Sequence, residues 1–159
     1  MYAISKEIVS KFAPYTLPGF GALKPALRRL EEEKYITSSK MMSAGGRPSV
    51  YYAITAKGKS VLPKLILEPF TENPLQFVSN AKIKLSMADI LTAEQREILF
   101  LHIKTLAVTF KQSAEKILEN EYIQTNFYHR ILLDNTSVEY KNLINIIEGF
   151  EKDNERNRQ

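Results

Sequence analysis

The chain has 159 residues, enough for one domain or two small ones, with 44% hydrophobic residues, 25% charged residues and no cysteine. Disulfides, thiolate catalysis and cysteine-based metal sites are thereby excluded; with no apolar run long enough to span a bilayer and no opening signal peptide, a cytoplasmic protein without membrane contact is expected. The formal charge of +4 is unevenly divided. Residues 1–67 hold eleven Lys/Arg and four Asp/Glu, a net of +7, whereas residues 68–159 hold eleven and fourteen, a net of −3. The first part is therefore the candidate surface for an anionic partner.

Apolar residues at helical spacing (Tyr2, Ile4, Ile8, Val9, Phe12) predict a first helix over Ala3–Phe12, stopped at Pro14. A constrained connection with Pro14, Pro18 and Gly19 leads into a second helix, ending near Glu33. Its Leu23, Leu27 and Leu30 share one face. Lys24, Arg28 and Arg29 lie off that face, and Pro25 is expected in the first turn. The cations gather toward its N-terminal half and Glu31–Glu33 toward its C-terminal end. That order opposes the helix dipole, at about 0.3–1 kcal/mol per exposed charge. Such a placement is consistent with cations kept for an anionic backbone.

Strand-like composition follows over Tyr35–Met42 and again over Val50–Ile54, joined by the turn Ala44-Gly45-Gly46-Arg47-Pro48, which reads as a β-hairpin. Thr55 is the expected N-cap of a helix from Ala56 to about Leu67. Two helices, a hairpin with a glycine-rich basic tip and a third helix give the order of a winged helix-turn-helix over residues 1–67.

Residues 68–74, with a proline near each end, form a linker, and residues 75–152 read as helical. One helix is expected from Leu75 to about Leu91. Thr92 and Gln95 then form a capping box for a long helix whose Leu99, Ile103, Leu106, Phe110, Ser113 and Ile117 keep a 4-3-4-3-4 spacing. Tyr122–Leu133 continues helical, a break is expected at Asp134–Ser137, and Tyr140, Leu143, Ile147 and Phe150 line a last helix. Residues 153–159 are expected to fray. Long amphipathic helices must bury their stripes on one another or on a second copy. A dimer seam of Leu99, Ile103, Leu106, Phe110, Leu143, Ile147 and Phe150 is expected.

No catalytic constellation, cofactor motif or metal-ligand spacing is present. His102 and His129 are the only histidines and read as structural or solvated. Adjacent Glu31–Glu33 point to different faces. Phe110, Phe127 and Tyr128 are candidates to line a pocket, but at helical spacing such aromatics are more often core, and they read as core. The nucleic-acid reading does have residue-level support. Lys24 and Arg28 are one turn apart and can reach phosphates or base edges in one major groove, Arg47 at the hairpin tip suits a minor groove, and Lys40 and Lys57 are lesser phosphate candidates.

Gly21-Ala22-Leu23-Lys24-Pro25-Ala26-Leu27-Arg28-Arg29-Leu30-Glu31-Glu32-Glu33 and Gly45-Gly46-Arg47-Pro48-Ser49-Val50-Tyr51-Tyr52-Ala53-Ile54-Thr55-Ala56-Lys57-Gly58 resemble the PadR family of bacterial transcriptional regulators. The resemblance implies a mainly α fold: a winged helix-turn-helix with a small hairpin wing, then a helical dimerisation region. It also implies a homodimeric repressor that binds a two-fold operator in double-stranded DNA and loses affinity when a small aromatic or cationic effector binds. The family usually has Tyr and Ser/Thr where this chain has Lys24 and Ala22, further basic residues where it has Ser49 and Val50, and an apolar helix before the one near Tyr2. A late start is the favoured account of that missing helix. The alternative is a truncated interaction or dimerisation module without DNA binding.

Overall fold

In chain order the elements are α1 (Tyr2–Phe12), α2 (Phe20–Glu32), β1 (Ile36–Met42), β2 (Pro48–Ile54), α3 (Ala56–Ile66), α4 (Pro74–Ser86), a 3-10 turn (Ala88–Ile90), α5 (Ala93–Leu118), α6 (Glu121–Thr125) and α7 (Phe127–Arg156). The computed structural model describes residues 2–42, 46 and 48–156, and of Phe20 the backbone alone. Among these residues the fold is mainly helical, with one two-stranded antiparallel hairpin. It is a winged helix-turn-helix followed by further helices. The chain divides into two compact units, residues 1–70 with 82–87 and residues 71–81 with 88–159, so α4 contributes to both.

The first unit has a small apolar core. Leu23 and Leu27 of α2 and Ile66 of α3 are buried, while α1 has no fully buried residue. The hairpin pairs Ile36 with Ile54 and runs in register to Met42 opposite Pro48. Thr55 caps α3 as the sequence predicts, its hydroxyl oxygen accepting from the Gly58 N–H at 2.9 Å. The Lys84 ammonium near the end of α4 donates to the Glu68 carbonyl and lies 4.3 Å from the Phe70 ring centre. Its partial burial holds it below the ordinary lysine range.

The second unit is built on α5 packed against α7. Leu99, Ile103, Ala107 and Ala114 of α5 and Tyr140, Leu143 and Ile147 of α7 are buried. Phe77 of α4 is fully buried, 5.2 Å from Phe110 and 6.5 Å from Tyr140 between ring centres. Polar ties close the far end. Lys104 pairs with Glu151 at 3.0 Å and Glu148 at 3.4 Å. The hydrogen bond it donates to Glu151 holds the Lys104 ammonium above the ordinary lysine range. The Arg96 guanidinium donates to Asn154 at 3.1 and 3.2 Å and to the Leu91 carbonyl at 2.8 Å.

Four expectations about helix boundaries change. α4 stops at Ser86 rather than near Leu91, because the 3-10 turn buries Leu91 and leaves Thr92 extended (φ −67°, ψ 167°) to cap α5. The capping box itself forms, with both reciprocal bonds present. The break falls at Asn126 and not at Asp134–Ser137. Asn126 accepts from the His129 N–H at 3.1 Å and starts α7, which then runs unbroken through Asp134–Ser137, Thr136 donating back to the Leu132 carbonyl. Packing of α7 on α5 outweighs the weak helix propensity of those four residues. The polar end expected to fray stays helical to Arg156, tied by the Arg96–Asn154 pair; residues 157–159 lie outside the described residues. Finally, Pro25 is not in the first turn: α2 begins at Phe20, so Pro25 is its sixth residue and has no N–H to offer the carbonyl of the exposed Gly21.

Phe77→Ala removes the ring that meets both Phe110 and Tyr140. It is expected to destabilise the second unit by about 3–5 kcal/mol, read as a lower denaturation midpoint monitored on α5 and α7 amides by hydrogen exchange.

Candidate nucleic-acid interface

α2 presents two faces of opposite character. Leu23 and Leu27 turn inward, and Lys24 and Arg28, one turn apart, are exposed. Lys24 has no hydrogen-bond or ionic partner among the described residues. Arg28 pairs with Glu32 on its own helix at 2.8 Å, but its side chain is 79% exposed, so the pair is worth only about 0.3–0.5 kcal/mol and yields easily to another anion.

The end of α2 is fixed by a Schellman motif. The Lys34 N–H donates to the Glu31 carbonyl at 2.9 Å and the Tyr35 N–H to the Leu30 carbonyl at 2.8 Å. The position that turns left-handed is usually glycine; here it is Lys34, at φ +62°. Behind it the chain is clamped to the start of α3. The Thr55 hydroxyl donates to the Lys34 carbonyl at 2.8 Å and the Thr55 N–H to the Tyr35 carbonyl at 2.9 Å. A Cβ on Gly58 would stand 2.1 Å from that same Tyr35 oxygen. Ser38 of β1 donates to the Glu31 carboxylate, tying α2 to the wing.

These contacts place the expected DNA-binding residues differently. Lys24 and Arg28 share one exposed face of α2. Lys40 is exposed on β1 opposite Val50, with no side-chain partner among the described residues. Lys57 is exposed but engaged: its ammonium donates to the Glu33 carbonyl at 2.8 Å, 4.9 Å from the Tyr35 ring centre, where it favours the negative end of the α2 dipole. Arg47 and most of the expected turn lie outside the described residues; Gly46 has φ +70°. Lys34 and Gly58 were not singled out by sequence reasoning. Three glutamates before Lys34 continue the helical pattern with no glycine to mark its end, and Gly58 sits inside a helix, where only the approach of another backbone gives it meaning.

The seven residues expected to form a dimer seam also divide. Leu99, Ile103, Leu143 and Ile147 are buried between α5 and α7 of the same chain, Leu106 and Phe110 are half-buried, and Phe150 is 42% exposed. Phe127 and Tyr128, read as core, are 59% and 80% exposed at the start of α7, because the inward face of that helix is set by Tyr140, Leu143 and Ile147. Among the described residues no group of three His, Cys, Asp or Glu could hold a metal ion, and no helix is long and apolar enough to cross a membrane.

Residues 1–64, the part that contains α2, the hairpin and the Thr55–Gly58 clamp, match the model of the transcriptional regulator PadR-like family. Over those residues the chain is similar to the PadR-like family. Members of that family are transcriptional regulators and not enzymes. None of the curated proteins compared with this chain matches it. Among solved structures it is similar to Bacillus subtilis PadR in complex with operator DNA (17% identity, 94% of this chain and 86% of that one, TM-score 0.40). It is also similar to the PadR-like transcriptional regulator BC1756 from Bacillus cereus (16%, 98% and 89%, TM-score 0.46) and to smu.1604c from Streptococcus mutans UA159 (19%, 95% and 89%, TM-score 0.39).

Two substitutions test the clamp with opposite signs. Lys34→Gly relieves a left-handed conformation that costs an L-residue about 1–2 kcal/mol, offset in part by glycine's extra unfolded-state freedom of about 0.5–1 kcal/mol. A net gain of about 0.5–1 kcal/mol is expected, read as a raised thermal midpoint. Gly58→Ala would gain about 1 kcal/mol in an ordinary helix interior. Here the Cβ meets backbone that cannot swing aside, so a loss of at least about 1–3 kcal/mol is expected in the same melt.

Proposed function

We propose that this chain is a cytoplasmic, ligand-responsive transcriptional repressor that binds a two-fold operator in double-stranded DNA as a homodimer. The observation that carries the reading is the exposed pair Lys24 and Arg28 on α2, a helix whose opposite face and C-terminal end are both held firmly. Two cations one turn apart on a braced helix suit a major groove, where phosphate contacts set register and base-edge contacts set sequence. Arg47, next in sequence to the left-handed Gly46, suits the minor groove or its phosphates, and Lys40 adds a phosphate contact. Lys57 contributes by holding the end of α2 in place. The net of +7 over residues 1–67 favours the encounter with DNA.

In this reading residues 1–67 bind DNA, residues 68–74 link, and residues 75–152 pair two copies so that their recognition helices stand about one turn of DNA apart. The apolar side chains that the second unit leaves at its surface support the pairing. Leu132 is 67% exposed, and Ile131, Val138, Ile146 and Phe150 lie exposed along the same helix. The contact is expected to run through these residues together with Leu106 and Phe110, the four buried positions serving as the floor beneath them. The alternative, an interaction module without DNA binding, draws on Lys57 and Arg28 being engaged within the chain. A gel-shift titration against the protein's own promoter region separates the two, since a folded dimer giving no shift at moderate salt supports the alternative.

Lys24→Ala and Arg47→Ala each remove one cation from the interface. Each is expected to lower affinity for specific and non-specific DNA by similar factors and to reduce the slope of log affinity against log salt by about 0.9; an unchanged slope removes that residue from the phosphate contacts. Leu132→Asp is expected to give monomers in sedimentation equilibrium with an unchanged far-ultraviolet spectrum, and a persistent dimer would place the contact elsewhere.

A further inference from the structure

Lys24, Arg28 and Glu32 recur at every fourth residue of α2 and form one exposed stripe. The three glutamates at the end of the helix are not equivalent. Glu31 accepts from the Ser38 hydroxyl of β1, and Glu33 lies beside the Tyr35 hydroxyl. Both engage the turn and the wing behind the helix. Of the three, Glu32 is the one that meets the cationic stripe, where a carboxylate oxygen accepts from the Arg28 Nε–H at 2.8 Å.

Stability does not account for this pair. Its side chains are 79% and 59% exposed, and such pairs contribute little. Glu32 is the last residue of α2, where the negative end of the helix dipole disfavours a carboxylate. Beside a phosphate backbone its charge also subtracts from affinity. What the pair supplies is direction. With the Nε–H committed to Glu32, the guanidinium plane is held, and the N–H groups on its two Nη atoms have no acceptor among the described residues. One N–H from each Nη points the same way, a fork that matches the O6 and N7 acceptors of guanine in the major groove. A phosphate brought to that fork would also meet the Glu32 charge, whereas the guanine edge is neutral. Lys24 is a point charge without such a restraint, and it suits a phosphate.

We propose that Arg28 reads a guanine in each half of the operator and that Glu32 is the residue that positions it, so that α2 discriminates between sequences at Arg28 and holds phosphate at Lys24. The assignment rests on the DNA-binding reading above and adds to it a base identity and a positioning residue. Glu32 then works against DNA in general and in favour of one sequence in particular, which is how an interface gains specificity without gaining affinity. Arg29, about 100° further round the helix, lies off the stripe and takes no part.

The test uses the full chain to select from a library of duplexes with a randomised centre, followed by anisotropy titrations on the selected duplex and on a scrambled one. A guanine is expected at a fixed position in each half-site. Arg28→Lys keeps the charge and removes the fork. It is expected to lose about tenfold in preference for that guanine over the other bases, with affinity for the scrambled duplex unchanged within about twofold. Glu32→Ala is expected to relax the same position by about the same factor and to bind the scrambled duplex more tightly, a gain that a merely structural role would not give. Melting curves check that both variants fold. A loss in Arg28→Lys that is equal on both duplexes, or a selected sequence in which it alters no guanine preference, overturns the guanine assignment and leaves DNA binding standing. Unchanged discrimination in Glu32→Ala overturns the positioning role. A folded chain that retains no duplex from the library overturns the DNA-binding reading, and this assignment with it.

Discussion

The Tyr35 carbonyl accepts the Thr55 N–H and lies against Gly58 so closely that no side chain could stand between them. Around it the Thr55 hydroxyl reaches the Lys34 carbonyl and the Lys57 ammonium reaches that of Glu33. Three successive carbonyls at the end of α2 are thus held by two residues, Thr55 at the cap of α3 and Lys57 in its first turn. The hairpin leaves and returns through the same point, since Ile36 and Ile54 are its first pair. With Leu23, Leu27 and Ile66 as the buried large side chains among the described residues of this unit, apolar burial alone offers limited orientation. Backbone hydrogen bonds and a close glycine contact supply direction that a small core cannot. This is what turns an amphipathic helix carrying two exposed cations into a surface of fixed aim.

The second unit rests on a different principle. Its two long helices bury their stripes on each other, and Ala107 and Ala114, seven residues apart on α5, are small enough to let α7 approach. The aromatic group of Phe77, Phe110 and Tyr140 brings part of α4 into the same core. The ends are secured by charge-assisted contacts from Lys104 and Arg96, which fix the register of α7 along α5. Apolar residues that the stripe does not need remain exposed at the surface of α7, Leu132 and Val138 among them.

Much of the head was legible from local chemistry. The period of Leu23, Leu27 and Leu30, the Thr55 cap, the strand composition on either side of the Gly-Gly turn and the Thr92–Gln95 capping box each act within a few residues, so each can be read from a few residues. What failed to read correctly was decided over longer distances. Asp134–Ser137 has the composition of a helix start, yet α7 passes through it because Tyr140, Leu143 and Ile147 on one side and the capped turn at Asn126 on the other leave no cause to stop. Pro25 reads as a first-turn residue until Phe20 is seen to open the helix.

The sequence by itself determined the order of elements over residues 1–67, the basic character of that segment and the shared face of Lys24 and Arg28, because composition, period and spacing are properties of the chain. Only the tertiary structure decided which apolar stripes are satisfied internally and which cations are free. A heptad pattern states that a stripe must be covered but not by what, and here α7 of the same chain covers Leu99 and Ile103. A lysine in a basic segment states a charge but not its neighbour, and the carbonyl of Glu33, twenty-four residues away, takes Lys57.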